Sequence, residues 1–138
     1  TDVATSFQLL ASSSKWHNNV MPFRYRNFRV YQEAISFHRL MVKFTRKFPK
    51  EFDYLKSQVR RSSLSVILNI AEGSAKNSDK DFNRYIGNSL GSINESMAGC
   101  EVALGEQLIT KQEFDAAEKA AEDLTNQLGS FSQKLKKS

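Results

Sequence analysis

Two sets of side chains in this sequence are spaced to act together. Arg39, Lys43 and Arg46 fall four and three residues apart, which aligns three cations on one face of a helix. Lys56 and Arg60 repeat the step further along. Cations in such a row suit phosphates, and an arginine fork takes a phosphate or a carboxylate through two parallel hydrogen bonds. The second set, Gln58, Arg61, Ser65, Asn69 and Glu72, forms a narrow polar stripe, again at helical steps. If that stripe is buried, Arg61, Asn69 and Glu72 need partners on each other, on a neighbouring helix or on another subunit. Glu95 is the natural cross-helix partner for one of the arginines. The stripe is expected to be a structural polar network that sets register and oligomeric state; the competing reading sends Arg60 and Arg61 to phosphates.

Catalytic chemistry finds little support. The two histidines, His17 and His38, do not follow a glutamate by three residues, which excludes the Glu-x-x-His pairs of a di-iron bundle. There is no Gly-rich phosphate loop, nucleophile elbow or Cys/His metal spacing. Glu72-Gly73 has no basic partner of known position, and His38 falls on an apolar stripe where a hydrogen-bonded boundary histidine is expected. Cys100 stands alone and is expected in the core or at an interface. We expect no enzyme, no cofactor and no metal.

The elements that position these residues are helical throughout. The chain of 138 residues has six glycines and two prolines and lacks Asn-Gly or Asp-Gly hairpin pairs, a pattern that favours long helices. The first helix is expected to begin after Asn27 as N-cap and run to about Phe48, ahead of Pro49. Phe28, Tyr31, Ile35, His38, Val42 and Thr45 form its apolar stripe, widened by Ala34, Leu40, Met41 and Phe44. The second helix, from about Tyr54 to Ala75, has one apolar face at Leu55, Val59, Ser62, Val66 and Ile70. A second face holds Leu64, Ile67, Leu68 and Ala71. One bundle covers only one face, so the second is expected to form a subunit interface.

Ser78 or Asp79 caps a third helix whose core side holds Phe82, Ile86, Leu90, Ile93, Met97, Leu104 and Leu108. Gly87 and Gly91, four apart, suggest close approach of another helix, with the serines of helix two as the expected contact. Thr110-Lys111-Gln112-Glu113 is a capping box. It opens a fourth helix with a heptad seam at Phe114, Ala117, Ala121, Leu124, Leu128, Phe131 and Leu135. Short connections make an antiparallel up-down-up-down four-helix bundle the expected all-α fold over 27–138. Residues 1–26, with Phe7, Leu9, Leu10 and Trp16 among serines and asparagines, show no sustained period and read as an extension.

Charge is divided along the chain. Residues 1–77 carry 13 Lys/Arg against 5 Asp/Glu, whereas residues 78–138 carry 7 against 10. A basic half points to an acidic partner such as RNA or an acidic protein surface; a solvated basic surface that maintains solubility is the competing reading. No apolar run approaches the ~20 residues of a membrane span. With no basic start leading into an apolar run in the first twenty residues, and a single cysteine, a cytoplasmic location is expected.

Several short runs then recur in a recognisable order: Tyr31-Gln32-Glu33-Ala34, Phe48-Pro49, Gln58-Val59-Arg60-Arg61 and Asn69-Ile70-Ala71-Glu72-Gly73. Ser78, Asp81-Phe82 and Gly91-Ser92 with Glu95 follow. In this combination the chain resembles the four-helix-bundle family of 23S rRNA intervening-sequence proteins, over roughly residues 27–130. Members form ring-like homopentamers; some are encoded inside insertions in large-subunit rRNA genes. Related proteins are accessory subunits of diversity-generating retroelements and contact nucleic acid and a reverse transcriptase. The resemblance therefore implies a ring-like homo-oligomer with an RNA-related role or a protein partner. It places Asn69, Glu72, Gly73, Ser92 and Glu95 at structural or interface positions, with no catalytic role attached.

Overall fold

The computed structural model describes residues 22–137; Phe7, Leu9, Leu10, Trp16 and His17 lie outside the described residues. Among the described residues there are four α-helices and no strand: α1 (Arg29–Thr45), α2 (Asp53–Ser74), α3 (Asp79–Gly105) and α4 (Lys111–Lys136). Together they form a four-helix bundle in which α1 packs on α2 and α4, and α3 packs on α2 and α4.

Two of the helix starts follow directly from local chemistry. The Ser78 hydroxyl accepts from the Asp81 N–H at 3.1 Å, and Asp79 and Asp81 stand in the first turn of α3, where their charge meets the positive helix end. At α4 the capping box closes on both sides. The Glu113 N–H donates to Thr110 Oγ1 at 3.0 Å and the Thr110 N–H donates to Glu113 Oε1 at 2.9 Å. Between them α3 ends in a Schellman turn, in which the Leu108 N–H reaches Ala103 O (2.9 Å) and the Gln107 N–H reaches Leu104 O (3.0 Å). That motif needs a left-handed residue, and Gln107 occupies it at φ 61° where glycine is usual.

The start of α1 departs from expectation. Asn27 does not cap it; Asn27 closes a 3₁₀ turn (Arg24–Asn27), and Phe28 fills the N-cap position without a side-chain bond. The far end stops at Thr45 rather than Phe48, because the residue before Pro49 is driven out of helical backbone and the last turn unwinds ahead of it. The 3₁₀ turn ahead of α1 is tied to the bundle. Arg24 donates from Nε to Ser74 O at 2.7 Å, capping the C-terminus of α2, and its guanidinium lies 5.4 Å from the Phe82 ring centre.

Burial decides the rotation of each helix. In α1 the buried line is Val30, Ala34, Phe37, Met41 and Phe44, with Tyr31, Ile35 and His38 at its margin. The buried line is displaced by one position from the sequence stripe because α1 is apolar over a wide arc. Its neighbours then select which part turns inward. In α3 the buried line passes from Phe82, Ile86 and Ile93 to the small residues Ser89, Ser96, Cys100 and Ala103, leaving Leu90, Met97 and Leu104 half-buried. Ile67 is 7% exposed and belongs to the chain's own core, not to a surplus face.

Small residues draw α2 and α3 together. Ser62 and Ser96 share a hydroxyl bond at 2.8 Å, and the Ser89 hydroxyl crosses to Val66 O at 3.0 Å, so the buried hydroxyls remain satisfied. The close backbone approach expected at Gly87 and Gly91 lies elsewhere. A Cβ at either would meet open space, whereas one at Gly99 would sit 2.6 Å from Val59 Cγ2. One at Gly73 would sit 2.7 Å from Tyr85 Cβ.

Candidate nucleic-acid interface

The α1 ridge is exposed as its spacing implies: Arg39, Lys43 and Arg46 all face solvent, and among the described residues none has an ion-pair partner. Helical phase alone accounts for this. The three cations fall outside the arc occupied by Phe37, Met41 and Phe44, and long charged side chains keep their heads in water.

Beside this ridge, α1 and α2 enclose an open groove of about 580 Å³, lined among others by His38, Val42, Lys56, Arg60, Arg61 and Leu64. Arg60 is not a free phosphate hook. Its Nε donates to Thr45 Oγ1 at 2.9 Å and its Nη2 donates to Val42 O at 3.2 Å, which braces α2 against the last turn of α1. Lys56 Nζ stands 3.9 Å from Asp53 Oδ1, a loose pair that competes little with a ligand. His38 is half-buried with Nδ1 2.7 Å from Ser63 Oγ. Partial burial, reinforced by the Arg60 charge, holds its imidazole below the ordinary value of 6.5.

The polar stripe of α2 does not form a buried network within the chain. Gln58, Arg61, Glu72 and Glu95 are exposed, and among the described residues Arg61, Glu72 and Glu95 have no ion-pair partner. The inward rotation of Val59, Val66 and Ile70 turns this stripe outward. Only its centre is held. Asn69 Nδ2 donates to Ser65 O at 2.9 Å, the Ser92 hydroxyl donates to Ser65 Oγ at 3.0 Å, and Asn88 Nδ2 reaches Asn69 Oδ1 at 3.5 Å. Of the residues assigned to an interface, Leu64 and Leu68 are 41% and 55% exposed and Ala71 is half-buried.

Cys100 lies in the core with its thiol 3.6 Å from Met41 Sδ, and burial pushes its pKa up to about 11, which makes it a poor nucleophile. No cluster of three or more His, Cys, Asp or Glu side chains suited to a metal ion occurs among the described residues, and no described helix is long and apolar enough to cross a membrane.

A four-helix bundle with these runs in these places has a counterpart among known families: a family model described as 23S rRNA-intervening sequence protein matches residues 26–130. The chain belongs to that family. No match is found among curated proteins. Within this member of the 23S rRNA-intervening sequence family, the Asn69-to-Gly73 run now has a physical reading. Asn69 holds the α2/α3 seam, Ile70 is core, and Gly73 permits the contact with Tyr85. Two groups in the α1/α2 region, the Arg60 brace and the His38–Ser63 pair, were invisible to the sequence because they join residues 15 or more positions apart.

Proposed function

We propose that the chain is a non-enzymatic homo-oligomer that binds structured, rRNA-related RNA through the basic surface of α1 and α2. The observation that carries this reading is the row of exposed cations Arg39, Lys43 and Arg46 beside the Lys56, Arg60 and Arg61 groove. Backbone phosphates are the natural ligand for such a surface, so binding weakens steeply with salt and has little sequence preference. The family name supplies the link to large-subunit rRNA. The short connections support an up-down-up-down order. Exposed Leu64 and Leu68 support association of copies, in the ring-like pentamer that the family resemblance implies. In that assembly Gln58, Glu72 and Glu95 find the partners that a single chain does not give them. A cytoplasmic setting follows from the proposed ligand.

The test is binding of an rRNA fragment at ~50 mM salt and then at rising salt. Converting Arg39, Lys43 and Arg46 to glutamine should lower the salt slope by about one for each phosphate left without its cation. No binding at low salt overturns the reading. A protein partner that survives nuclease treatment would instead support a scaffold or accessory subunit for a nucleic-acid enzyme.

A further inference from the structure

The α1/α2 groove holds one feature that phosphate binding does not require. His38, the one imidazole among the described residues, contributes to its wall. Ser63 Oγ lies 2.7 Å from His38 Nδ1 and 3.2 Å from Arg60 O. A serine hydroxyl has a single proton, and a carbonyl oxygen can only accept. Two arrangements satisfy these contacts: the Ser63 proton on His38 Nδ1, which leaves the ring proton on Nε2, or the Ser63 proton on Arg60 O, which puts the ring proton on Nδ1 and leaves Nε2 with a bare lone pair. Burial, reinforced by the Arg60 charge, holds the imidazole below its ordinary value and so favours the neutral ring.

The rest of the wall combines apolar Val42 and Leu64 and the Ser57 hydroxyl with three cations. Lys56, Arg60 and Arg61 line it against the single carboxylate of Asp53. Arg60 is held in place by Val42 O and Thr45 Oγ1 through two of its five N–H groups, which leaves three for a ligand. The volume of about 580 Å³ falls within the usual range for small-ligand sites. A carboxylate needs donors alone and makes no use of a neutral acceptor, whereas hydrogen phosphate uses both through its P–OH. A phosphodiester beside a hydroxyl uses both, and the 2′-hydroxyl distinguishes RNA from DNA.

We propose that this groove is a ribonucleotide subsite, in which Lys56, Arg60 and Arg61 take a phosphodiester and His38 Nε2 accepts a hydrogen bond from the adjoining ribose 2′-hydroxyl. The inference rests on the RNA-binding reading and deepens it, because the α1 ridge by itself does not discriminate between nucleic acids.

The probe is one short hairpin made as RNA and as its 2′-fluoro counterpart, which keeps the A-form sugar pucker but cannot donate. With fluorescence anisotropy on the full chain, RNA is expected to bind about three- to ten-fold tighter, the size of one hydrogen bond. His38→Phe should erase that difference by weakening RNA alone. Lys56→Gln with Arg61→Gln should weaken both hairpins and leave their ratio intact. Equal binding of the two hairpins by the wild type, or a ratio that survives His38→Phe, overturns the subsite while leaving the RNA reading standing. Failure to bind either hairpin at low salt overturns both. Should His38→Phe fold poorly, ¹⁵N imidazole spectra of the wild type decide the matter. A proton on Nδ1, with an Nε2 resonance that moves on adding the RNA hairpin and not the 2′-fluoro one, supports the proposal; a proton on Nε2 refutes it.

Discussion

Replacing Gly73 with alanine puts a methyl group where α2 and α3 approach closely. The new Cβ would lie 2.7 Å from Tyr85 Cβ, 2.9 Å from Phe82 Cδ1 and 3.3 Å from Phe82 Cε1. Carbon atoms prefer ~3.5–4.0 Å, so the helices must part by about 1 Å. Tyr85 Cβ is anchored to the α3 backbone and cannot rotate aside, and Phe82 is fully buried against Phe28 and Phe131. The shift also pulls on the Arg24–Ser74 bond one residue on and on the Ser89–Val66 bond across the seam. Overpacking of this kind costs ~1–3 kcal/mol, while the gain from alanine's helix propensity is at most about 1 kcal/mol. The expected net loss is about 1–2 kcal/mol, or roughly 5 °C in Tm. Gly91→Ala is the control, because its Cβ meets nothing within 4 Å. That change should raise stability by ~0.5–1 kcal/mol. Urea unfolding at one fixed protein concentration reads both, so that the proposed association does not enter the comparison. A Gly73→Ala protein as stable as the wild type would refute the close-approach reasoning.

The other expectations concern single interactions. Gln107→Gly relieves the left-handed residue of the Schellman turn and should stabilise by about 1 kcal/mol in the same assay; no gain would mean that the turn carries no strain. The bond from Lys47 Nζ, with help from the Thr110 N–H, holds the Glu113 carboxyl below its ordinary 4.5. The folded state therefore binds fewer protons, and this contribution is present above pH 4.5 and lost as pH falls through the folded-state pKa. Glu113→Gln should lower the urea midpoint at neutral pH and flatten its decline in acid. Leu68→Glu, at a position 55% exposed, should dissociate the proposed oligomer in light scattering while leaving the stability of the separated chain within about 0.5 kcal/mol of wild type. A wild-type protein that is monomeric at micromolar concentration would contradict the interface reading.

What the sequence by itself determined is whatever depends on neighbours along the chain. The caps at Ser78 and Thr110–Glu113, the extent of α2 and the seam of α4 from Phe114 to Leu128 are set by residues three or four apart, and they appear in the structure as their spacing implies. The basic ridge belongs to the same class, because exposure of three cations on one face needs only helical phase. The rotation of each helix about its own axis was decided by tertiary packing. α1 is apolar over so wide an arc that periodicity could not choose Val30 and Phe37 over Tyr31 and Ile35; contact with α2 and α4 made the choice. The same kind of choice turned Arg61, Glu72 and Glu95 outward, put the close approaches at Gly73 and Gly99 rather than Gly87 and Gly91, and brought His38 to Ser63 and Arg24 to Ser74. Local patterns specify which faces can be buried. Which of them are buried depends on the shapes of partners distant in sequence, and those shapes exist only once the chain has folded.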